Sequence, residues 1–457
     1  MLRLAGGQVE SLFDGLLPVE VRELPEDLAV LDRLLADQLL LVPIERVWEQ
    51  TARDHGRPTI PMASFVWLMV IKQRTGWGYE TLVREVSDSL HLRRFCLLAL
   101  TERVPDESTV RKLVRRLGPE TVAELTRVVI GKARRETRFA ARAVRIDSTV
   151  VEADIRYPTD GVLAWQGARV LAREGRRLGG QLRGRTVRVV DRSRQIGKTV
   201  RVISKTLSRR TGQRVDEVLA LNAKAGRAMA RSVREARALA AQARAAARGR
   251  GAQAKLRAAC RLEELADRCQ RVVDQIQQRS RGEKISDRLV SLADPDARPI
   301  RKGKLGKPNE FGYVVQVAEV TASTRRGARG YVLPAASAPG NPGENRLLEQ
   351  TMVELDRLGL RPREVALDGG FVPGPTGQTL AALAPARTFI SGRAESGSRR
   401  TRKRLARYRT GCEGRISHLK RGYGLRRSRL RGDQGQRIWT GWAVLAYNLD
   451  TLAIHTT

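Results

Sequence analysis

The sequence predicts an α/β protein that has a helical N-terminal region and a helical insertion. Apolar residues recur at helical spacing over roughly the first 130 residues, and a second helix-compatible tract, rich in Ala, Arg, Leu, Gln and Glu, covers residues 215–279. Elsewhere, short β-branched runs alternate with amphipathic helices. Strands mixed with helices in this order indicate an α/β sheet that the helical tract interrupts.

The N-terminal region, residues 1–135, is predicted to be a helical DNA-binding domain. Phe65, Leu68 and Ile71 fall on one face of a helix, as the burial of one helical side requires. The longest apolar run, residues 60–71, is too short to cross a bilayer, so we expect no membrane association.

A later helix of this region carries candidate DNA contacts. Asp106 or Ser108 is placed to cap it, because a short polar side chain ahead of an apolar-periodic run satisfies free N–H groups. The other face of this helix is basic, which indicates either a DNA-binding surface or the ordinary solvated face of a packed helical domain. Its cations are Arg111, Lys112, Arg115 and Arg116.

The sheet domain is predicted in two parts, residues 136–165 and 291–457. In the first part, the β-branched, alternating residues 143–151 predict a strand that contains Asp147. In the second part, strands and helices alternate up to a final helix with an apolar stripe. The later strands are predicted at 311–320, 329–337, 365–368 and 387–391.

Residues 166–290 are predicted to be a basic, helical insertion that contains a hairpin. Gly249 and Gly251 divide its helical tract into two arms. In the second arm, apolar residues step by 3, 4, 3 and 4, which is the spacing of a coiled-coil seam. The seam either closes the hairpin within the chain, as we expect, or joins two protomers. It consists of Leu262, Leu265, Cys269, Val272 and Ile276.

The charge of the chain predicts a polyanionic partner. The 457 residues include 85 Lys plus Arg against 49 Asp plus Glu, a net charge of +36. Such an excess suits nucleic acid, and the guanidinium fork pairs well with phosphate oxygens. The four cysteines form no CxxC pair, so neither a zinc site nor a disulfide framework is expected.

Three acidic residues, Asp147, Asp368 and Glu413, are the candidate catalytic and metal-binding residues. Asp147 interrupts an apolar strand, and Asp368 ends another strand before two glycines, which permit close approach of a bulky substrate. The alternative for Asp368 is a turn-forming Asp-Gly pair. Mg²⁺ takes hard oxygen ligands, and two metals held by carboxylates can activate the attacking oxygen and stabilise the leaving one at a phosphodiester.

Glu413 lies in a basic tract, residues 392–431, which holds 15 Lys plus Arg against two acids. Arg409, Glu413 and Lys420 are separated by 4 and 7 residues, and these steps return to one face of a helix. A carboxylate flanked by two cations can ligate a metal while the cations hold adjoining phosphates. The alternative is a surface ion pair, which contributes only about 0.3–0.5 kcal/mol.

The order of these features resembles that of the bacterial DDE transposases of the IS4/IS5 insertion-sequence superfamily, in the branch near IS1182 and ISNCY. Residues 60–120 resemble the helical N-terminal domain of that family, and residues 294–320 resemble its second-strand region. The run from Asp368 to Phe371 matches its Asp-x-Gly-aromatic motif. The resemblance therefore covers most of the chain.

The third motif of the family matches with one departure. Arg409, Glu413 and Lys420 match its Arg-x3-Glu-x6-Lys core. The tyrosine that precedes this core in the family would fall at Ala406, whereas this chain has Tyr408. The departure concerns the tyrosine and leaves the three acids in place.

The resemblance implies an RNase H-like catalytic domain, with Asp147 on its first strand, Asp368 after a later strand and Glu413 on a C-terminal helix. It also implies two Mg²⁺ ions per active site, for which Mn²⁺ can substitute. Asp147 and Asp368 would bridge the metals, and Glu413 would hold the second one. The implied reaction frees a 3′-OH at a transposon end, and this 3′-OH then attacks target DNA.

The implied partners are DNA, as transposon terminal inverted repeats and as target, and a second copy of the chain in a homodimer on DNA. The insertion would contact DNA ends or the partner protomer. The implied location is the bacterial cytoplasm, with nucleoid association when the protein is bound to DNA. Candidate DNA contacts are Arg409, Lys420, Arg415, Arg421, Arg111, Lys112 and Arg115.

Three alternatives remain open on the sequence. An RNase H-like nuclease would cut without strand transfer, and a catalytically inactive or repurposed DNA-binding protein would bind without cutting. Metal-dependent cleavage separates the binding protein from the two enzymes, and strand transfer separates the nuclease from the transposase. An RNA-binding protein is less favoured, because only 4% of the residues are aromatic and single-stranded RNA is usually recognised through aromatic stacking.

Overall fold

The computed structural model describes residues 2–5, 14–51, 58–184, 186–208, 214–249, 251–301, 309–393 and 398–456. By its internal contacts the chain forms two compact units. The first unit comprises residues 1–154 and 312–457, and the second comprises residues 155–311.

The N-terminal part of the first unit is helical, as the sequence predicts. Asp106 is the N-cap of the last helix in this part, because its Oδ1 atom accepts a hydrogen bond from Thr109 N at 3.0 Å. That helix bends at Gly118 and Pro119, where the glycine has a φ of 74°. The helices are α1 (Val19–Arg22), α2 (Glu26–Leu35), α3 (Val42–Thr51), α4 (Met62–Thr75), α5 (Tyr79–Asp88), α6 (Leu90–Phe95) and α7 (Glu107–Glu136).

The rest of the first unit is a mixed sheet with helices, which confirms the predicted α/β class. The strands are β1 (Ala143–Ala153), β3 (Asn309–Thr321), β4 (Tyr331–Val332), β5 (Ala336–Pro339), β6 (Glu364–Leu367), β7 (Arg387–Ile390) and β8 (Arg427–Ser428). In the sheet, β3 runs antiparallel to β1, β1 runs parallel to β6, and β6 runs parallel to β7. The short strands β4 and β5 pair with β3, and β8 pairs with the end of β1.

Four helices complete this unit, and the last of them forms its core with the N-terminal helices. The predicted apolar stripe of the last helix is buried, and its Trp442 ring meets Phe65 of α4 edge to face with centroids 5.8 Å apart. The helical N-terminal region and the sheet therefore share one hydrophobic core. The four helices are α12 (Glu344–Arg357), α13 (Pro373–Leu380), α14 (Arg399–Gly422) and α15 (Gly432–Thr456).

A buried ion network lies between the sheet and α14. Arg145 of β1 and Glu319 of β3 are 3% and 0% exposed, and the Arg145 Nε atom donates to Glu319 Oε2 at 2.8 Å. Arg145 Nη1 also donates to the carbonyl of Tyr408 on α14 at 3.2 Å. From the same helix, Arg415 Nε donates to Glu319 Oε1 at 3.0 Å. Since both carboxylate oxygens are satisfied, the charges are tolerated in the interior.

The second unit contains two long antiparallel helical arms. The seam residues predicted in the second arm pack against the first arm, with Leu262, Cys269 and Ile276 fully buried and Leu265 half-buried. The seam is therefore used within the chain. The elements of this unit are α8 (Asp160–Gly179), α9 (Ser193–Ser208), α10 (Val215–Ala245), α11 (Ala252–Ser280) and β2 (Arg298–Arg301).

None of the helices in the described ranges combines the length and the apolar character that a bilayer-spanning segment needs.

Lys72 of α4 is a cation buried in the core of the first unit. Its side chain is 2% exposed, and its Nζ atom lies 4.3 Å from the ring centroid of Trp439 and 4.9 Å from that of Tyr79. Burial, together with the charge of Arg429, lowers the pKa of Lys72 to about 8. The ring faces offset part of the cost of burying this charge.

We predict that Lys72→Met stabilises the protein at pH 7, by roughly 1–3 kcal/mol, because methionine fills the space without a buried charge. The folded state binds the Lys72 proton less tightly than the unfolded state. The destabilisation is therefore fully present below about pH 8 and is lost as the pH rises from 8 toward 10.5, the ordinary pKa of a lysine side chain.

Urea unfolding of both proteins at pH 7, 8, 9 and 10 measures this difference. The advantage of the methionine variant should shrink at each step. An advantage that stays constant with pH would contradict the assignment of the effect to the Lys72 charge.

Candidate active site

Two of the three candidate acids lie side by side on neighbouring strands. Asp147 is in the middle of β1, and Asp368 follows the last residue of β6. The parallel register pairs Ile146 with Leu367, so the next position on each strand is an aspartate. The sheet thus brings together two carboxylates that are 221 residues apart in the chain.

The two glycines after Asp368 allow close packing at this edge. A Cβ atom on Gly369 would lie 3.0 Å from the carbonyl oxygen of Ser391, which follows β7. A Cβ atom on Gly370 would lie 3.2 Å from Oε1 of Glu344. A side chain at either position would press against these groups, which a turn-forming Asp-Gly pair alone does not explain.

The third acid, Glu413, is on α14, which the buried network holds against the sheet. Tyr408, Cys412 and Leu419 form the buried side of this helix. Glu413 is on the other side, and its side chain is 62% exposed. The helix therefore presents this carboxylate toward solvent, where a large substrate can reach it.

Arg409 links the three acids. Its Nη1 atom lies 2.8 Å from Asp368 Oδ1 and 4.0 Å from Asp147 Oδ2, and its Nη2 atom lies 2.8 Å from Glu413 Oε1. The Arg409 side chain is only 12% exposed. The predicted ion pair between Arg409 and Glu413 is therefore present, but it is part of a larger cluster rather than an isolated surface pair.

The electrostatics of Asp147 differ from those of an exposed aspartate. Burial raises the pKa of Asp147 to about 6, and the neighbouring Asp368 carboxylate adds to the rise. The backbone N–H of Ser148, which donates to Asp147 Oδ1 at 2.7 Å, and the Arg409 charge act in the opposite direction. Two carboxylates held this close favour a cation between them.

The cluster includes a fourth acid, Glu344, that sequence reasoning missed. It is in the first turn of α12, and burial raises its pKa to about 7, with the charges of Asp147 and Asp368 adding to the rise. In the sequence, Glu344 follows a Pro/Gly-rich turn, where an acid usually serves the helix N-terminus. Only its spatial neighbours distinguish it from such a residue.

The donor set of this cluster fits a divalent metal. Carboxylate oxygens are the hard ligands that Mg²⁺ and Mn²⁺ prefer, and here a guanidinium already lies among them. Within the described residues, no three Asp, Glu, His or Cys side chains form a ready-made metal site. Arg409 joins Glu413 to Asp368 in this arrangement, so metal binding would have to replace these ion pairs.

The other basic residues predicted on α14 have different surroundings. Arg415 donates to buried Glu319 and lies over the Tyr447 ring, so its charge serves the interior. Arg421 is exposed, and Lys420 is half-buried. Contacts of these residues with DNA stay predictions, and Arg415 would have to leave Glu319 to make one.

The predicted cations of α7 lie on its exposed side. Arg111 pairs with Glu107 at 2.8 Å, and Arg116 lies over the Trp48 ring, with its Cζ atom 3.5 Å from the ring centroid. Their binding to DNA also stays a prediction. The full set is Arg111, Lys112, Arg115 and Arg116.

Tyr408 and His418 lie outside the acidic cluster. Tyr408 is buried, and its hydroxyl is 2.6 Å from Thr321 Oγ1, so this tyrosine belongs to the interface between α14 and the sheet. His418 is half-buried next to Arg415, and burial together with that charge lowers the pKa of His418. Ala406, where the family has its tyrosine, is also half-buried.

Comparison with protein-family models found two matches. Residues 21–116 match a family described as Transposase domain (DUF772), and residues 296–449 match a family described as Transposase DDE domain. The second match includes Asp368 and Glu413, whereas Asp147 lies before it. A search of the curated proteins found no match, and a search of the solved structures found none either. The two family matches together cover more than half of the chain.

We predict that Gly411→Ala destabilises the protein by roughly 1–3 kcal/mol, because overpacking displaces neighbouring groups. A Cβ atom at this position of α14 would collide with Arg145 Nη1. The guanidinium cannot move without weakening its bonds to Glu319 and Tyr408.

Gly414→Ala is the matched control, because it lies on the same helix and a Cβ atom there meets nothing within 4 Å. Alanine at that site should stabilise the helix by up to about 1 kcal/mol. Thermal unfolding of the two variants measures the contrast. Equal melting temperatures would show that the buried network does not limit the position of α14.

Proposed function

This chain belongs to the DDE transposases, of the IS1182-like type, and from that membership we propose that it binds the ends of an insertion sequence and catalyses metal-dependent strand cleavage and strand transfer. The observation that carries the proposal is the cluster around Arg409. Three acids from distant parts of the chain, Asp147, Asp368 and Glu413, surround one cation at the edge of a sheet.

We further propose that the sheet domain is RNase H-like. The mixed sheet supports this, with β3 antiparallel to β1 and with β1, β6 and β7 parallel. Asp147 on the central strand, Asp368 after its parallel neighbour and Glu413 on a helix that packs against them have the places that the resemblance implies.

In the proposed reaction, Asp147 and Asp368 would hold the divalent metals, and Glu413 would contribute to the second one. When bound, the metals would activate the attacking oxygen and stabilise the leaving oxygen. In the first step, the oxygen of water attacks the phosphorus at the transposon end, and the bond to the 3′-oxygen breaks, which leaves a 3′-OH. In the second step, that 3′-oxygen attacks a target phosphate and displaces the 3′-oxygen of the target strand.

We propose that Arg409 positions the scissile phosphate. Its guanidinium is next to all three acids, so a phosphate at the metals would lie within its reach. A planar guanidinium fork matches two phosphate oxygens. Arg409 would then exchange its carboxylate partners for the substrate. Lys420, on the same face of α14 and further along the helix, would hold an adjoining phosphate.

The second unit supports the proposal that the insertion contacts DNA. A cavity of about 600 Å³ opens on this unit, with Arg156, Arg194 and Arg201 among its lining residues. Tyr157 and Trp165 also line it. Cations of this kind bind phosphates, and aromatic rings bind sugars and bases. The homodimer on DNA and the cytoplasmic location stay predictions.

We predict that Asp368→Asn abolishes nicking at the ends of the element, because a neutral amide cannot replace a carboxylate that holds a metal. The assay uses DNA that carries the ends of the gene's own flanking region, with Mg²⁺, Mn²⁺ or EDTA. The wild type should nick at the ends and join products when metal is present.

Asp356→Asn is the control, since this exposed acid of α12 pairs with Arg361 and loses the same charge. It should cut like the wild type. Binding without cutting by wild type and variants alike would instead favour a repurposed DNA-binding protein, and cutting without joining would favour a nuclease.

We predict that Arg409→Ala lowers the cleavage rate by roughly 10²-fold, the typical loss when one positioned donor is removed. Its non-specific affinity for DNA should fall little, because one of many phosphate contacts is lost. Arg407→Ala, an exposed cation two residues earlier, removes the same charge and should change cleavage little. Equal losses in both variants would mean that Arg409 acts only through general charge.

A further inference from the structure

Glu344 is an acid of the cluster that the family motifs do not include. We propose that Glu344 supplies a third carboxylate to the divalent cation held by Asp147 and Asp368. The inference rests on the proposed function, because it assumes that these two aspartates bind a metal.

The sheet holds the start of α12 near Asp147. Gln316 of β3 pairs in register with Ser148 of β1, the residue after Asp147. The Gln316 Nε2 atom donates to the backbone carbonyl of Glu344 at 3.2 Å, and Thr351 Oγ1 donates to Gln316 Oε1 at 2.7 Å. The first turn of α12 is thus attached to the strand position next to Asp147.

The Glu344 carboxylate packs against the Asp-Gly-Gly motif. A Cβ atom on Gly370 would lie 3.2 Å from both Cδ and Oε1 of Glu344. Gly370 is two residues after Asp368. Because Gly370 has no side chain, the Glu344 carboxylate has room to lie close to the aspartates.

One oxygen of the Glu344 carboxylate is poorly satisfied. Glu344 Oε2 is buried and has no hydrogen-bonding partner, and the interaction of the Ser148 hydroxyl with this carboxylate offsets only part of the cost of its burial. Burying a carboxylate oxygen without a partner costs free energy, and the charges of Asp147 and Asp368 add repulsion. A divalent cation would satisfy the oxygen and remove the repulsion together.

The ordinary role for an acid in a first helical turn is to interact with the free N–H groups and the dipole of its own helix. Glu344 Oε2 accepts no such bond, and Gly343 at the N-cap offers no side chain. A helix-serving role therefore leaves the position of this oxygen unexplained.

The test is Mn²⁺ binding to the full-length, DNA-free protein, measured by titration calorimetry at pH 8. Glu344→Gln should weaken Mn²⁺ binding roughly 10–100-fold, the usual loss when a supporting group of a metal site is removed. Glu349→Gln is the matched control, because this acid is exposed on the same helix and should leave binding unchanged. Asp368→Asn should lose the binding altogether.

Thermal unfolding in EDTA provides the second readout. Glu344→Gln should melt at the same temperature as the wild type or higher, because it removes a like charge from beside Asp147 and Asp368. A residue that only supports the helix would give a lower melting temperature. Glu344→Asp, which keeps the charge on a shorter side chain, should bind Mn²⁺ with intermediate affinity.

Unchanged Mn²⁺ affinity in Glu344→Gln, with loss in Asp368→Asn, would overturn the inference and leave the proposed function intact. If Asp368→Asn also binds like the wild type, or if the wild type does not bind Mn²⁺, the metal site of the proposed function fails and the inference fails with it. Weakened binding in Glu344→Gln with an undiminished melting temperature supports the inference.

Discussion

The ion pair between Arg145 and Glu319 is the constraint on which the arrangement of the site depends. Neither charge can reach water, so each must keep its partners, and two of those partners belong to α14: the carbonyl of Tyr408 and the guanidinium of Arg415. Removing one member would leave an uncompensated buried charge, which is far more costly than the pair itself. The sheet therefore determines the position and rotation of α14. Because α14 carries Arg409 and Glu413, the same interior charges determine which helix face meets the aspartates.

The cluster at the sheet edge holds more negative than positive charge. The carboxylates of Asp147, Asp368 and Glu413 surround the guanidinium of Arg409. The Glu344 carboxylate lies close enough to Asp147 and Asp368 for their charges to raise its pKa. The raised pKa values of Asp147, to about 6, and of Glu344, to about 7, have burial as their main cause and these neighbours as the next. Such a site favours added positive charge over water. A chain with a net charge of +36 thus keeps a local anionic centre. In the proposed function this centre would hold the metals, and the scissile phosphate would reach it beside Arg409.

Much of this architecture follows from the sequence, because its signals are local. Helical spacing, β-branched strands and the Asp106 cap predict the elements, and the resemblance to the transposase family implies that Asp147 and Asp368 meet. Contacts with distant residues were not predictable. In the sequence, Arg415 resembles any other cation of its basic tract. Only the structure shows that its guanidinium donates to buried Glu319, 96 residues away. Glu344 likewise resembles an ordinary acid in a first helical turn. Only the structure shows that it lies close to Gly370 and the two aspartates. Lys72 follows an apolar run, and nothing local shows that two aromatic rings lie against its charge.

The two strands that flank the insertion, β1 and β3, are neighbours in the sheet, and this affects how the length of the insertion can change. Glu152 near the end of β1 and Gly312 on β3 are paired in the antiparallel ladder, so the two ends of the inserted chain are neighbours. Gly312 also lacks the side chain that would collide with the backbone of Val151. Closing a longer loop between two neighbouring points costs only about 0.6 kcal/mol for each doubling of its length. The segment between these two strands can therefore change in length at little cost in free energy, while Asp147 and Asp368 keep their places in the sheet.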